Sequence, residues 1–264
     1  MLKNNILLYL LIVFVWFFDA LLAPAAQPSD AKLINAKHDY SLFISPIAAS
    51  NNILPPSLFR LNALCTETPQ RMYTESFIDG TSNIFTCNNI EDFLNDKEVE
   101  SILSHELTHI LNKDSFYLIF WWSLAFSIFI FFYYRLLHMA LEFTIDTFRK
   151  KSYTQKADDK IMLGIFWILI LILPTNYSRI DLIIEEAVRA FIQPQYELNA
   201  DIGAKHLTSL ENIKSALIKV YEIEQPRRNA NESALKGTYL GDFLPSHPSL
   251  ENRLKNLTKS LNHK

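Results

Sequence analysis

The 264-residue sequence is 49% hydrophobic and 20% charged, with a net charge of −3. So apolar a chain buries a core rather than remaining a self-repelling coil, and 25 Lys+Arg against 28 Asp+Glu leave no positive excess for phosphates, which excludes a nucleic-acid partner. The 5 glycines form neither GxGxxG nor GxxxxGK[ST], so a glycine-loop nucleotide site is excluded as well.

The first apolar block, Ile6 to Ala23, can be read as a membrane anchor or as a signal segment with an AxA-like site at Ala23 to Ala26. Asp19 splits its apolar run and Trp16, Phe17 and Phe18 are bulky for a signal core, which favours an anchor over residues 1–26. Further on, RMYTESF and TSNIFTC flank Asp79-Gly80 and predict two short strands joined by a turn.

Next comes NDKEVESILSHELTHILNK. Asn95 or Asp96 can cap a helix here, Glu98 and Glu100 suit its positive end, and Val99, Ile102, Leu103, Ile110 and Leu111 recur at helical spacing. On that helix His105 and His109, four apart, stack one turn above the other and can share a zinc ion, while Glu106 lies one step round. This is the HExxH arrangement. Two neutral imidazoles hold the ion, which acidifies water, and the glutamate takes the proton as that water attacks a peptide carbonyl. An edge strand beside such a helix binds substrate by adding it as a further strand, and Ser82 to Cys87 is the expected cleft wall.

The second block, Phe116 to Leu137, makes a helix of about 33 Å, matching a hydrocarbon core of about 30 Å. The third, Ile161 to Leu173, is shorter, about 20 Å, and reads as the second arm of a hairpin. Arg149, Lys150, Lys151, Lys156 and Lys160 lie between them, so the positive-inside rule makes that connection cytoplasmic and places the flanking segments on the other side. The expected organisation is therefore an anchor or signal segment (1–26), a first half-domain (27–115), a transmembrane hairpin (116–173) and a second half-domain (174–264).

A hydrolytic zinc site needs a third protein ligand and an open fourth position. In QYELNADIGAKHL, Glu197 and Asp201 share a helical face, so one can ligate while the other orients a histidine. Ser209 to Gln225 follows as an amphipathic helix with Leu210, Ile213, Leu217 and Val220 on its apolar side. Arg253, within SHPSLENRL on the helix that follows His247-Pro248, is placed to pair with Asp201 or Glu251.

SHELTHILNKDS, a membrane hairpin, YELNADIGA and SHPSLENRL, in that order, resemble the HtpX-like and CAAX-prenyl-protease family of integral-membrane zinc endopeptidases, from about Phe77 to Leu257. The resemblance implies a mainly α, zincin-like (gluzincin) catalytic domain with a small β-sheet, interrupted by the transmembrane hairpin. It implies one Zn²⁺ per chain held by His105, His109 and Glu197, with Glu106 as general base, Asp201 behind a histidine ligand and His247 as donor to the oxyanion. Its substrate is then a protein or peptide, and its setting the lipid bilayer. Members of the HtpX type have two membrane helices before the zinc helix and a cytoplasmic site, whereas this chain has one such segment. The expected location is therefore a bacterial inner membrane with the site facing the periplasm, where Cys65 and Cys87 could form a disulfide. The competing class is a zinc-stabilised membrane scaffold or sensor that does not cut. A structural site has no need of Glu106 beside its ligands, and its presence favours the enzyme.

Overall fold

The structure, a computed structural model, describes residues 32–33, 40–61, 72–77, 79–87, 90–149, 164, 167, 177–234 and 248–260. The block Ile6 to Ala23 and Cys65 lie outside these residues, as does the Cys87 side chain, and only Gly164 and Trp167 represent the third block. The elements in chain order are β1 (Lys32–Leu33), α1 (Ser41–Ser50), β2 (Ser57–Leu61), β3 (Met72–Ser76), β4 (Ser82–Cys87), α2 (Asp96–Asn112), α3 (Asp114–Arg149), α4 (Tyr177–Leu207), α5 (Leu210–Ala234) and α6 (Leu250–Lys259). The fold is mainly α with one small sheet.

That sheet has the order β1-β2-β4-β3, with β2 and β4 parallel and the other pairs antiparallel. The turn between β3 and β4 uses Gly80 at φ +84°, a left-handed value that needs no side chain, and Asp79 Oδ1 accepts from the Thr81 amide at 2.9 Å and its hydroxyl at 2.6 Å. The expected cleft wall is corrected at this point. Ser82 to Cys87 is β4, an interior strand paired on both sides, and the edge belongs to β3. Burial explains the difference: Ile84 and Phe85 are wholly buried on opposite faces of β4, whereas every residue of β3 is half-buried.

Helix α2 occupies the centre. Its N-terminus closes with a capping box, in which Asn95 Oδ1 accepts from the Glu98 amide at 3.0 Å and Glu98 Oε2 accepts from the Asn95 amide at 2.9 Å. Val99, Ile102, Leu103, Leu107 and Ile110 pack with Ile44 of α1, Ile84 of β4 and Ala216 of α5 into the main core. A second cluster of Ala204, Ile213, Leu217 and Leu257 joins α4, α5 and α6. Ser249 caps α6, accepting at its side-chain oxygen from the Asn252 amide at 3.3 Å.

Lys113, at φ 58°, ends α2 in the left-handed region, and α3 starts at the next residue. Among the described residues α3 is the one helix long and apolar enough to cross a membrane, over Asp114–Asp146. It continues past Leu137 as unbroken helix to Arg149, and large apolar side chains such as Phe131, Phe132 and Phe143 are exposed along it. Trp167, from the third block, donates from Nε1 to Thr144 Oγ1 at 2.9 Å, which sets this side chain against α3.

Candidate active site

Helices α2 and α4 cross at Gly203, where a Cβ would stand 2.3 Å from Thr108 Cγ2 and 2.5 Å from Thr108 Oγ1. This close approach brings HELTH and YELNAD face to face. His105 Nε2 is 3.1 Å from His109 Nε2 and 3.3 Å from Glu197 Oε2, and His109 Nε2 is 3.9 Å from Glu197 Oε1. The three donor atoms lie within 4.8 Å of one another.

The far side of each ring decides its proton. His105 Nδ1 is 3.0 Å from Asp201 Oδ1, and His109 Nδ1 is 2.7 Å from Asp114 Oδ2. Ionised carboxylates only accept, so each neutral ring carries its proton on Nδ1 and turns a bare Nε2 lone pair toward the other ring and Glu197. Electron pairs converging without a proton between them suit a cation. Ligand atoms about 2.0–2.1 Å from a tetrahedral ion stand about 3.3 Å apart, comparable with these separations, so the donor set fits a metal of the zinc type. The same pull acts on a proton: burial opposes charge on His105, yet Asp201 and Glu197 outweigh it and lift the ring's pKa to about 10.

Arg253 closes the cluster. Its Nε and a terminal nitrogen fork onto Asp201 at 2.8 and 2.6 Å, and the latter lies 3.7 Å from Glu197 Oε2. Burial would raise the Asp201 carboxyl, but Arg253 and His105 hold it below its ordinary range. Of the two acidic partners that the sequence offered Arg253, the structure chooses Asp201. Glu106 is 7% exposed, and burial raises its carboxyl above the usual range despite the histidines nearby. His247 lies outside the described residues, although the neighbouring Pro248 lines the same cavity. In the sequence Asp114 stands out only as a member of the string SHELTHILNKDS. The cue to its role was five-residue spacing from His109 across a helix break, which helical periodicity does not reveal.

These groups line a cavity of about 610 Å³ whose other walls include Met72–Glu75 of β3, Ser115, Leu118 and Ile119 of α3, and Arg189, Gln193 and Tyr196 of α4. The first turns of the apolar helix thus form part of the site. A family model for peptidase family M48 matches residues 74–261. The chain belongs to this family. Two curated relatives are each named "Protease HtpX homolog", from Bacteroides fragilis strains YCH46 and ATCC 25285. They are 25% identical over 267 positions and 26% over 272, each match covering 92% of this chain and 76% of the relative. The crystal structure of S. mikatae Ste24p has the same fold, with a TM-score of 0.55 at 16% identity over 95% of this chain, which spans 57% of that chain's length. Family, relatives and apolar helix together make this M48 member a membrane protease.

Proposed function

We propose that the chain is a zinc-dependent endopeptidase that processes or degrades proteins at the membrane surface as part of protein quality control. The observation that carries this reading is the convergence of His105, His109 and Glu197 with Glu106 in one cavity. His105, His109 and Glu197 would hold the ion, which when bound supplies Lewis acidity to water and to a peptide carbonyl. Glu106 takes the proton of the attacking water and passes it to the leaving amine nitrogen, and its raised proton affinity suits both steps. His247 is assigned to the oxyanion on the resemblance of SHPSLENRL, with Pro248 in the cavity wall in support. The outer edge of β3 receives substrate as an added strand.

We place residues 1–26 as a membrane segment, 116–173 as a hairpin, and 27–115 with 174–264 as the two halves of a catalytic domain facing the periplasm of a bacterial inner membrane. The basic residues between the apolar blocks and the Trp167–Thr144 contact support that topology. Two experiments test these readings. Purified protein should carry one zinc per chain and cleave a protein substrate, and Glu106→Gln should abolish cleavage with zinc retained; undiminished cleavage refutes the mechanism. Single cysteines at Lys151 and Asp242 should label from opposite sides of the membrane, and labelling from one side refutes the topology.

A further inference from the structure

Four carboxylates line the cavity, and three of them, Glu106, Asp114 and Glu197, belong to the histidine cluster. The fourth, Glu75, stands apart on β3. Its Oε2 is buried and has no hydrogen-bond partner among the described residues, and burial raises its carboxyl above the usual range. The cavity's arginines are committed elsewhere, Arg189 to Glu185 at 2.8 Å and Arg253 to Asp201 at 2.6 Å. A buried acceptor without a donor is costly, and its position on a substrate-facing strand indicates where a donor can come from.

Strand geometry specifies the donor further. Glu75 and Tyr73 share one face of β3, and Tyr73 is held there by stacking on Phe85 at 4.9 Å between ring centroids. Glu75 pairs with Asn83 of β4 on the inner side, and among the described residues no strand pairs with the outer edge of β3, whose residues line the cavity. A peptide added at that edge places every second side chain on the Tyr73–Glu75 face, within cross-strand reach of the carboxylate. An acceptor-only group is best matched by a donor-only one, an ammonium or a guanidinium.

We propose that Glu75 is a specificity-determining residue that selects a lysine or arginine side chain in the substrate segment lying along β3. This rests on the reading of the cavity as a peptide-binding cleft. The test uses the full chain carrying Glu106→Gln, in detergent, and fluorescent peptides in which one position, moved along the sequence, is Lys, norleucine or Glu. In one register Lys should bind about tenfold more tightly than norleucine, and Glu more weakly than either. Adding Glu75→Gln should bring the Lys-to-norleucine ratio to about one, and Glu75→Lys should turn the preference toward Glu. No register with a Lys preference, a preference that survives Glu75→Gln, or no peptide binding at all overturns the proposal. Cleavage by the chain with Glu106 intact is measured in parallel. A basic preference without cleavage counts against the peptidase reading alone, and cleavage without a preference counts against Glu75 alone.

Discussion

Asp114, the first residue of the apolar helix α3, lies 2.7 Å from Nδ1 of His109 on the preceding helix. Lys113 makes this possible: its left-handed backbone turns the chain between the helices, so the carboxylate returns to a ring five residues earlier. The helix that is long and apolar enough to cross a membrane therefore begins with the group that fixes a candidate ligand's proton and orientation. Asp114→Ala should weaken zinc affinity by about 10- to 100-fold, measured by competition with a chromophoric chelator. Asp114→Asn, whose amide oxygen can still accept from Nδ1, should lose less. Unchanged affinity in the alanine variant removes Asp114 from the support of the site.

Arg253 and Asp201 form the second support. Asp201 is 0% exposed, and without the guanidinium fork it is left as a buried charge whose chief remaining partner is His105 Nδ1. Arg253→Ala should therefore cost about 3–5 kcal/mol of stability by denaturant unfolding in detergent. Arg253→Lys keeps the charge but loses the planar fork, and should recover only part of that loss. A lysine variant as stable as the parent shows that charge alone suffices.

Much of the site is legible in the sequence because its parts are local. HExxH, the Asn95 cap and the Glu197–Asp201 spacing each lie within one or two helical turns, where a fixed period determines who shares a face. What was not legible depends on contacts between distant segments. MYTES and SNIFTC have similar short patterns, and only β2, whose SLFRL pairs with the far edge of β4, shows which strand is interior. Pro46 inside helix α1 hides a helix from sequence patterns, and α3 runs beyond the apolar block that ends at Leu137 because polar residues such as His138 and Glu142 interrupt an apolar run without ending a helix.

Glu98 gives a pH-dependent prediction remote from the histidines. Burial opposes its charge, but Lys219 Nζ at 2.7 Å, Ser215 Oγ at 2.6 Å and the Asn95 amide at 2.9 Å together hold its carboxyl below the ordinary value. A depressed folded pKa contributes stability that is complete above the unfolded pKa, about 4.3, and is lost as pH falls through the folded value. The parent should thus lose stability on acidification below about pH 4.3 more steeply than Glu98→Gln, which at neutral pH should be less stable by about 1–3 kcal/mol. Parallel acid dependence of the two melting curves contradicts the assignment.

The crossing at Gly203 links helix packing to the geometry of the metal donors. An added Cβ meets Thr108 Cγ2 at 2.3 Å, Oγ1 at 2.5 Å and Cβ at 2.9 Å, closer than side-chain carbons approach. Thr108 cannot easily yield, because its hydroxyl donates to the Ser104 carbonyl at 2.8 Å in a buried part of α2. Gly203→Ala must then push α4 from α2, separating Glu197 from the two histidines, and should cost about 1–3 kcal/mol together with a loss of zinc affinity. The double variant Gly203→Ala, Thr108→Ala removes the two closest atoms and leaves only the contact at 2.9 Å. It should restore much of the zinc affinity, although Thr108→Ala alone also gives up the Ser104 hydrogen bond. Equal affinity in Gly203→Ala and the parent, by the same chelator competition, shows that the helices adjust without moving the donors and that the glycine is dispensable at this crossing.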